Sequence, residues 1–365
     1  MRVHFKRSYD EDIRLFEDWR RMAKYAVLLA IMIALPALVS GYFLGEVTLV
    51  LIYCIAGMGL MVLAGHTGQI SLGHAAFMAI GAFSNLWFMD QGMPFLIALP
   101  LSAIFTGVVG AIVALPILRL SGIYLAIATL ALSIIVEDIA IIAEPYTGGV
   151  VGVFAPPIEF FGTMVDRYGT PNLFYWMCLA LVVLVTLGYV NLLRSATGRS
   201  FLAVRDSEVS ARALGVNVTR TKALAFGLSC GVTGIAGALY AHFVQVVNYE
   251  SFLVLLSINL LLLVVIGGLG SIHGAFFGAI VVGLLPQGLS ILRDFLQGTV
   301  GLDISAYPGL DTMVFAVIII GMVIYEPLGL YGFYMKVKTQ WQLFPLARRD
   351  MFRRSKSYLK TERLR

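Results

Sequence analysis

The sequence predicts an all-α integral membrane protein of about ten transmembrane helices with broken or re-entrant segments. Three observations predict it. Hydrophobic residues make up 59% of the 365-residue chain and charged residues only 13%, about half the charge of a soluble domain. The mean hydropathy is +0.88. Ten apolar segments can be drawn at about 25–45, 47–64, 74–89, 95–118, 121–143, 173–193, 223–244, 252–267, 273–292 and 308–325, most of them near the ~20 residues that span a bilayer.

Charge placement tests that drawing independently. Of the 26 Lys and Arg residues, all but Arg167 and Arg293 fall in 1–24, at Arg119, in 194–222 or in 336–365. An even number of crossings puts all four regions on one side, which the positive-inside rule assigns to the cytoplasm. An eight-crossing version with re-entrant pieces stays open. The expected organisation is a charged cytoplasmic segment 1–24, a transmembrane region 25–335 with a long cytoplasmic loop 194–222, and a basic cytoplasmic tail 336–365. The first 24 residues carry twelve charges and no apolar core, so they do not read as a secretory signal. The tail's ten basic residues suit anionic lipid, and no nucleic-acid partner is expected.

The most informative element is GHTGQISLGHAAFMAIGAF at 65–83, within a stretch from 47 to 89 that lacks Asp, Glu, Lys and Arg. A polar, glycine-rich break at membrane depth is tolerated only where it is buried in protein or lines a wet cavity, and transporters build solute paths from such discontinuous helices. Gln69, Ser71 and His74 are therefore candidate path residues. The alternative is a tight cytoplasmic turn with Ser71 near the start of the next helix. A second break, VIGGLGSIHG at 265–274, carries Ser271 and the same ambiguity. SLGHAAFMAI at 71–80 and SIHGAFFGAI at 271–280 align without gaps at an offset of 200 and match at five positions, the mark of two halves on one plan.

Other features are less specific. Glu137 and Asp138 lie near the outer end of the fifth segment and read as interfacial rather than as a buried pair. Ala223, Gly227, Gly231, Gly234 and Ala238 make a small-residue face on the seventh segment, suited to close helix packing. Cys54, Cys178 and Cys230 sit in apolar spans and imply neither disulfide nor metal. No His, Cys and carboxylate cluster has metal spacing, and no catalytic constellation or G-x-x-x-x-G-K-[ST] phosphate loop is present. No metal or cofactor is expected. In the 194–222 loop, residues 201–215 read as one amphipathic helix with an apolar row at Val204, Val209, Ala213 and Leu214, stopped by Gly215. Its functional reading is a docking helix; the bland one is a helix lying on lipid headgroups.

Five ordered segments resemble the permeases of branched-chain amino acid ABC importers: residues 65–83, TGGVVG at 147–152, AVRDSEVSARALG at 203–215, VIGGLGSIHG at 265–274 and YEPLGL at 325–330. The resemblance covers about 45–332 and is to the second permease subunit type. It implies an importer with a second permease subunit, two cytosolic ATP-binding subunits and an extracytoplasmic solute-binding protein, in the cell (inner) membrane. The binding protein would meet the outer loops near 147–157 and 294–308. Residues 203–215 match the family's ATPase-facing loop, which makes Arg205, Asp206, Glu208, Ala211, Leu214 and Gly215 candidate coupling residues. Relatives of this family import urea, short amides or aromatic acids, and these stay open as solutes. A stand-alone channel or ion-coupled carrier would want buried ionisable residues in mid-span.

Overall fold

A computed structural model describes residues 19–117, 120, 122–160, 162–300, 310–326 and 328–343. Most of the charged N-terminal segment, Arg119, residues 301–309 and the tail beyond 343 lie outside the described residues.

The expected apolar segments are helices: α1 (Trp19–Leu38), α2 (Gly41–Leu60), α3 (His74–Asp90), α4 (Phe95–Ile117), α5 (Ile123–Ile142), α7 (Pro171–Arg194), α10 (Val218–Val244), α11 (Val254–Gly267), α12 (Ile272–Val300) and α13 (Leu310–Tyr325). Among the described residues, seven stretches are long and apolar enough to cross a membrane. The 17-residue α3 and two shorter apolar helices within α1 and α13 complete the correspondence with the ten segments. The remaining helices are α6 (Glu144–Thr147), α8 (Ala196–Asp206), α9 (Glu208–Ala213) and α14 (Gly329–Leu343). The protein is an all-α membrane protein.

One expected boundary is corrected. The first two spans part at residues 39–40, where Ser40 is extended (φ −65°, ψ 156°), and not at Glu46. Glu46 thus lies inside α2. The ninth span lies where expected, at Ile272–Arg293, while the helix α12 that contains it runs on to Val300. In addition, α14 crosses the drawn boundary at 335/336, so part of the expected tail is helical.

The central element is α2, whose continuous helical stretch Gly41–Gly65 contains an 18-residue apolar window that is 83% buried inside the protein. It packs between α7, α10 and α12. The small-residue face of α10 explains how α4 comes so close: a Cβ at Gly227 would sit 3.0 Å from the Gly107 carbonyl, and one at Gly231 3.0 Å from that of Ala103. Contact at backbone distance needs residues without side chains there. That face is used within the chain. By contrast α5 exposes Ile123, Ile127, Ile134 and Ile135, as a lipid-facing helix should.

At the end of the bundle opposite the 65–73 break, two short antiparallel pairs form. The strand β1 (Val153–Phe154) pairs with β4 (Val246–Val247), and β2 (Ile158–Phe160) with β3 (Thr163–Val165). The TGGVVG loop leads into β1. Gly148, Gly149 and Gly152 all have positive φ, and a Cβ at Gly152 would lie 2.7 Å from the Val247 carbonyl.

Candidate functional site

The α2 helix ends in a π-helical turn, Met61–Gly65, of the kind that marks functional irregularities in helices. Regular helix then stops until His74. Gly68 takes φ 70°, and Gly268, its counterpart at the 200-residue offset, takes φ 115°. Both halves therefore contain a helix, a break with a positive-φ glycine, and a second helix. The internal repeat is structural.

The two breaks touch. A Cβ at Gly65 would meet the Gly270 nitrogen at 2.7 Å, and the Gly270 N–H points at Met61 Sδ, 3.2 Å away. Leu328 and Gly329 close over the second break, where a Cβ at Gly268 would lie 2.8 Å from the Leu328 carbonyl. His273 stacks on Tyr331, centroids 5.6 Å apart, and pairs with Tyr25 at 2.9 Å. Four of the five sequence motifs thus converge at one end of the bundle, and TGGVVG lies at the other.

The candidate path residues divide into two groups. Ser71 and His74 are fully buried and bonded within the protein. Ser229 Oγ donates to the Gly59 carbonyl at 2.6 Å, so in a neutral ring His74 Nε2–H donates to Ser229 Oγ (2.7 Å) and Nδ1 accepts from Ser71 (2.9 Å). The Leu72 N–H donates to Thr129 Oγ1 and the Ala75 N–H to Ser257 Oγ. In this conformation the Ser71 hydroxyl and both ring nitrogens of His74 are bonded within the protein. They pin the start of α3 to α10 and α2. Ser271 is half-buried; its hydroxyl donates to the Gly268 carbonyl and accepts the Gly274 N–H at 3.0 Å.

Gln69 is different. Its Nε2 donates to Thr67 Oγ1 at 2.9 Å, but Oε1 has no partner among the described residues. Both ring nitrogens of buried His66 and the Tyr189 hydroxyl are also unpartnered among the described residues, and the His66 and Tyr189 rings lie 5.6 Å apart. Buried polar atoms left open in this way call for water or a ligand. Tyr189 was illegible in the sequence, because a tyrosine in an apolar span carries no signal of its own.

Residues 201–215 do not form the single helix expected. Ser207 is extended (φ −164°, ψ 113°), and its hydroxyl accepts the Ser210 N–H, so α8 ends and α9 begins. A serine cap competes successfully with continuation of the helix. The expected apolar row is split by this elbow. Val204 and Ala211 are buried with Val218, whereas Val209 and Leu214 are each 81% exposed and Ala213 is exposed. Ala211, only 1% exposed, packs with Val204 and Val218. Gly215 ends α9 with φ 85°.

Arg205, Asp206 and Glu208 of the elbow are engaged within the chain. Glu208 pairs with Lys222 at 2.6 Å, fastening α9 to α10. Arg205 pairs with Asp206 at 3.0 Å and donates through Nη1 to the Gly65 carbonyl at 3.2 Å. A Cβ at Gly270 would sit 3.4 Å from the same nitrogen. Arg205 therefore touches both breaks. Among the described residues no group of His, Cys, Asp and Glu could hold a metal.

Comparison with known proteins fits this geometry. Residues 42–325 match the family described as "Branched-chain amino acid transport system / permease component". The chain is 34% identical over 290 residues to the high-affinity branched-chain amino acid transport system permease protein LivM of Salmonella typhimurium, covering 73% of this chain and 68% of that protein. LivM of Escherichia coli K12 gives the same identity and coverage. The autoinducer 2 import system permease protein LsrC of Enterobacter sp. 638 is 33% identical over 147 residues, 36% of this chain and 41% of LsrC.

Proposed function

We infer function from one premise: this chain belongs to the family of branched-chain amino acid transport system permease components. It works as a membrane-spanning subunit of an ATP-binding-cassette importer, passing branched-chain or other neutral amino acids inward. Its partners are a second permease subunit, two cytosolic ATP-binding subunits and an extracytoplasmic binding protein. The end that carries the breaks and the 194–222 loop is cytoplasmic, as are both termini. The described basic residues Arg199, Arg205, Arg212, Arg220 and Lys222 belong to that loop, as the positive-inside rule expects of a cytoplasmic end.

The observation that carries this reading is the contact of Arg205 with Gly65 beside Gly270. Force from ATP hydrolysis must enter through a cytosolic surface, because the chain has no phosphate loop of its own. The α8–α9 elbow supplies that surface, with exposed Val209 and Leu214 as apolar knobs for a partner's groove. Movement of the elbow is delivered through Arg205 to the two breaks, where the helices are already interrupted. Gln69, His66 and Tyr189 then offer a solute polar atoms without a net charge, while the bonds of Ser71 and His74 fix the frame against which the break moves. Ser271 does the same at the second break.

The deciding experiment is uptake of labelled leucine into proteoliposomes that hold this chain with its partner subunits. Uptake that requires both the binding protein and ATP supports the reading. Uptake independent of ATP would replace it with a channel or carrier, and uptake of urea, a short amide or an aromatic acid in place of leucine would reassign the solute.

A further inference from the structure

The corrected boundary of α2 exposes a feature hidden in the sequence. With the first two spans parting at residues 39–40, Glu46 is the sixth residue of a 25-residue helical stretch. At 1.5 Å per residue that stretch is ~37 Å long, against ~30 Å of hydrocarbon, which places Glu46 just inside the membrane, away from the breaks. A carboxylate in a span is costly and normally faces a cavity or partner.

Glu46 does face a cavity. It lines a cleft of about 380 Å³ between α2, α11, α12 and α13, together with Leu49, Tyr53, Asn259, Gln287 and Phe315. Leu49 and Tyr53 follow Glu46 by three and seven residues, on one face of α2. Asn259 comes from α11, Gln287 from α12 and Phe315 from α13. Gln287 is oriented by donating through Nε2 to Tyr42 Oη at 2.7 Å, so its amide oxygen is held in a set direction. No cation among the described residues pairs with Glu46. The nearby Arg167 guanidinium lies against Gly45 and over the Phe243 ring, 3.9 Å from its centroid.

We propose that this cleft is a solute-binding site for a neutral aliphatic amino acid, with the Glu46 carboxylate receiving its ammonium group. The proposal rests on the importer reading above and adds a site to it. A zwitterion needs an acceptor for three N–H donors, donors for a carboxylate, and an apolar wall for the side chain. Glu46 provides the first, the Asn259 and Tyr53 side chains the second, and Leu49, Val282 and Phe315 the third. The volume accommodates a leucine-sized molecule with its nearest waters. The cleft sits at the opposite end from the breaks, where a solute released by an extracytoplasmic binding protein would arrive. Pro286 in its lining is exposed, and there the second permease would close the path, since an unpaired carboxylate facing acyl chains is disfavoured.

The test uses the assembled transporter in proteoliposomes with saturating binding protein, comparing maximal uptake of labelled leucine and alanine. Glu46→Gln is expected to lower both at least tenfold, with co-purification of the ATPase and basal ATP hydrolysis unchanged, while Glu46→Asp keeps a measurable part. Leu49→Trp, which narrows the apolar wall, is expected to reduce leucine uptake several-fold more than alanine uptake. An assembled Glu46→Gln transporter with unaltered uptake overturns the proposal, as does a Leu49→Trp transporter that treats the two solutes alike. If Glu46→Gln does not assemble, Gln287→Leu takes its place with the same two outcomes. The unsubstituted transporter separates the two readings: failure to import either amino acid refutes the importer reading, whereas normal import with indifferent variants refutes only the cleft.

Discussion

Arg205 Nη1 donates a hydrogen bond to the Gly65 carbonyl across 140 residues of sequence, at 3.2 Å. One end of that bond stands on a short helix outside the apolar spans, and the other is the last residue of a π-turn closing the most buried helix. A charged donor on a carbonyl that helix geometry has left open is worth about 1.5–3 kcal/mol. That is enough to bias a two-state element severalfold or more.

Replacement of Arg205 by Ala should therefore separate ATP hydrolysis from transport. Expected is retained co-purification of the ATPase, a loss of leucine uptake of about tenfold, and ATP hydrolysis that no longer responds to the binding protein. Normal binding-protein-stimulated hydrolysis in this variant would remove Arg205 from the coupling route.

Docking of the ATPase should depend on Val209 and Leu214, which are exposed, and not on the chemistry of Ala211, which is buried. Leu214→Glu is expected to weaken co-purification of the ATPase while the isolated subunit melts normally. Ala211→Glu forces a carboxylate into the Val204 and Val218 contact and should destabilise the elbow itself by several kcal/mol. A thermal melt of each purified variant distinguishes the two effects.

The buried relay from Ser71 through His74 and Ser229 to the Gly59 carbonyl predicts a stability effect. Ser229→Ala leaves His74 Nε2–H without its partner, costing about 1–3 kcal/mol. It should lower the melting temperature in detergent. Gln69→Leu removes a side chain whose Oε1 is already unpartnered, so it should reduce uptake with little change in melting temperature. The reverse pattern would exchange their roles.

Orientation is checked by labelling with an impermeant thiol reagent. Native Cys54, Cys178 and Cys230 are all buried, so background is low. Thr163→Cys, exposed at the β2–β3 turn, should be labelled in intact cells, and Ser210→Cys on α9 should be labelled only after the membrane is opened. Labelling of both from outside would reverse the assignment of the breaks to the cytoplasm.

What the sequence determined by itself is what short-range chemistry dictates. Long apolar runs must form helices in lipid, because no water pairs their backbone, so the ten segments and the break at 65–73 were legible from residue order alone. The match of 71–80 with 271–280 suggested two similar halves before the positive φ of Gly68 and Gly268 was known. Tertiary structure decided everything that depends on who meets whom. Residue order does not show that His74 meets Ser229, 155 positions away, or that Ala211 packs with Val204 and Val218. Glu46 looked like a loop residue until an extended Ser40 moved the boundary and placed the carboxylate beside Asn259 and Gln287. Periodicity reports the environment a residue prefers, averaged along one helix. Which polar atoms are bonded and which are left open is fixed only when distant helices pack, and at a membrane site that difference separates frame from function.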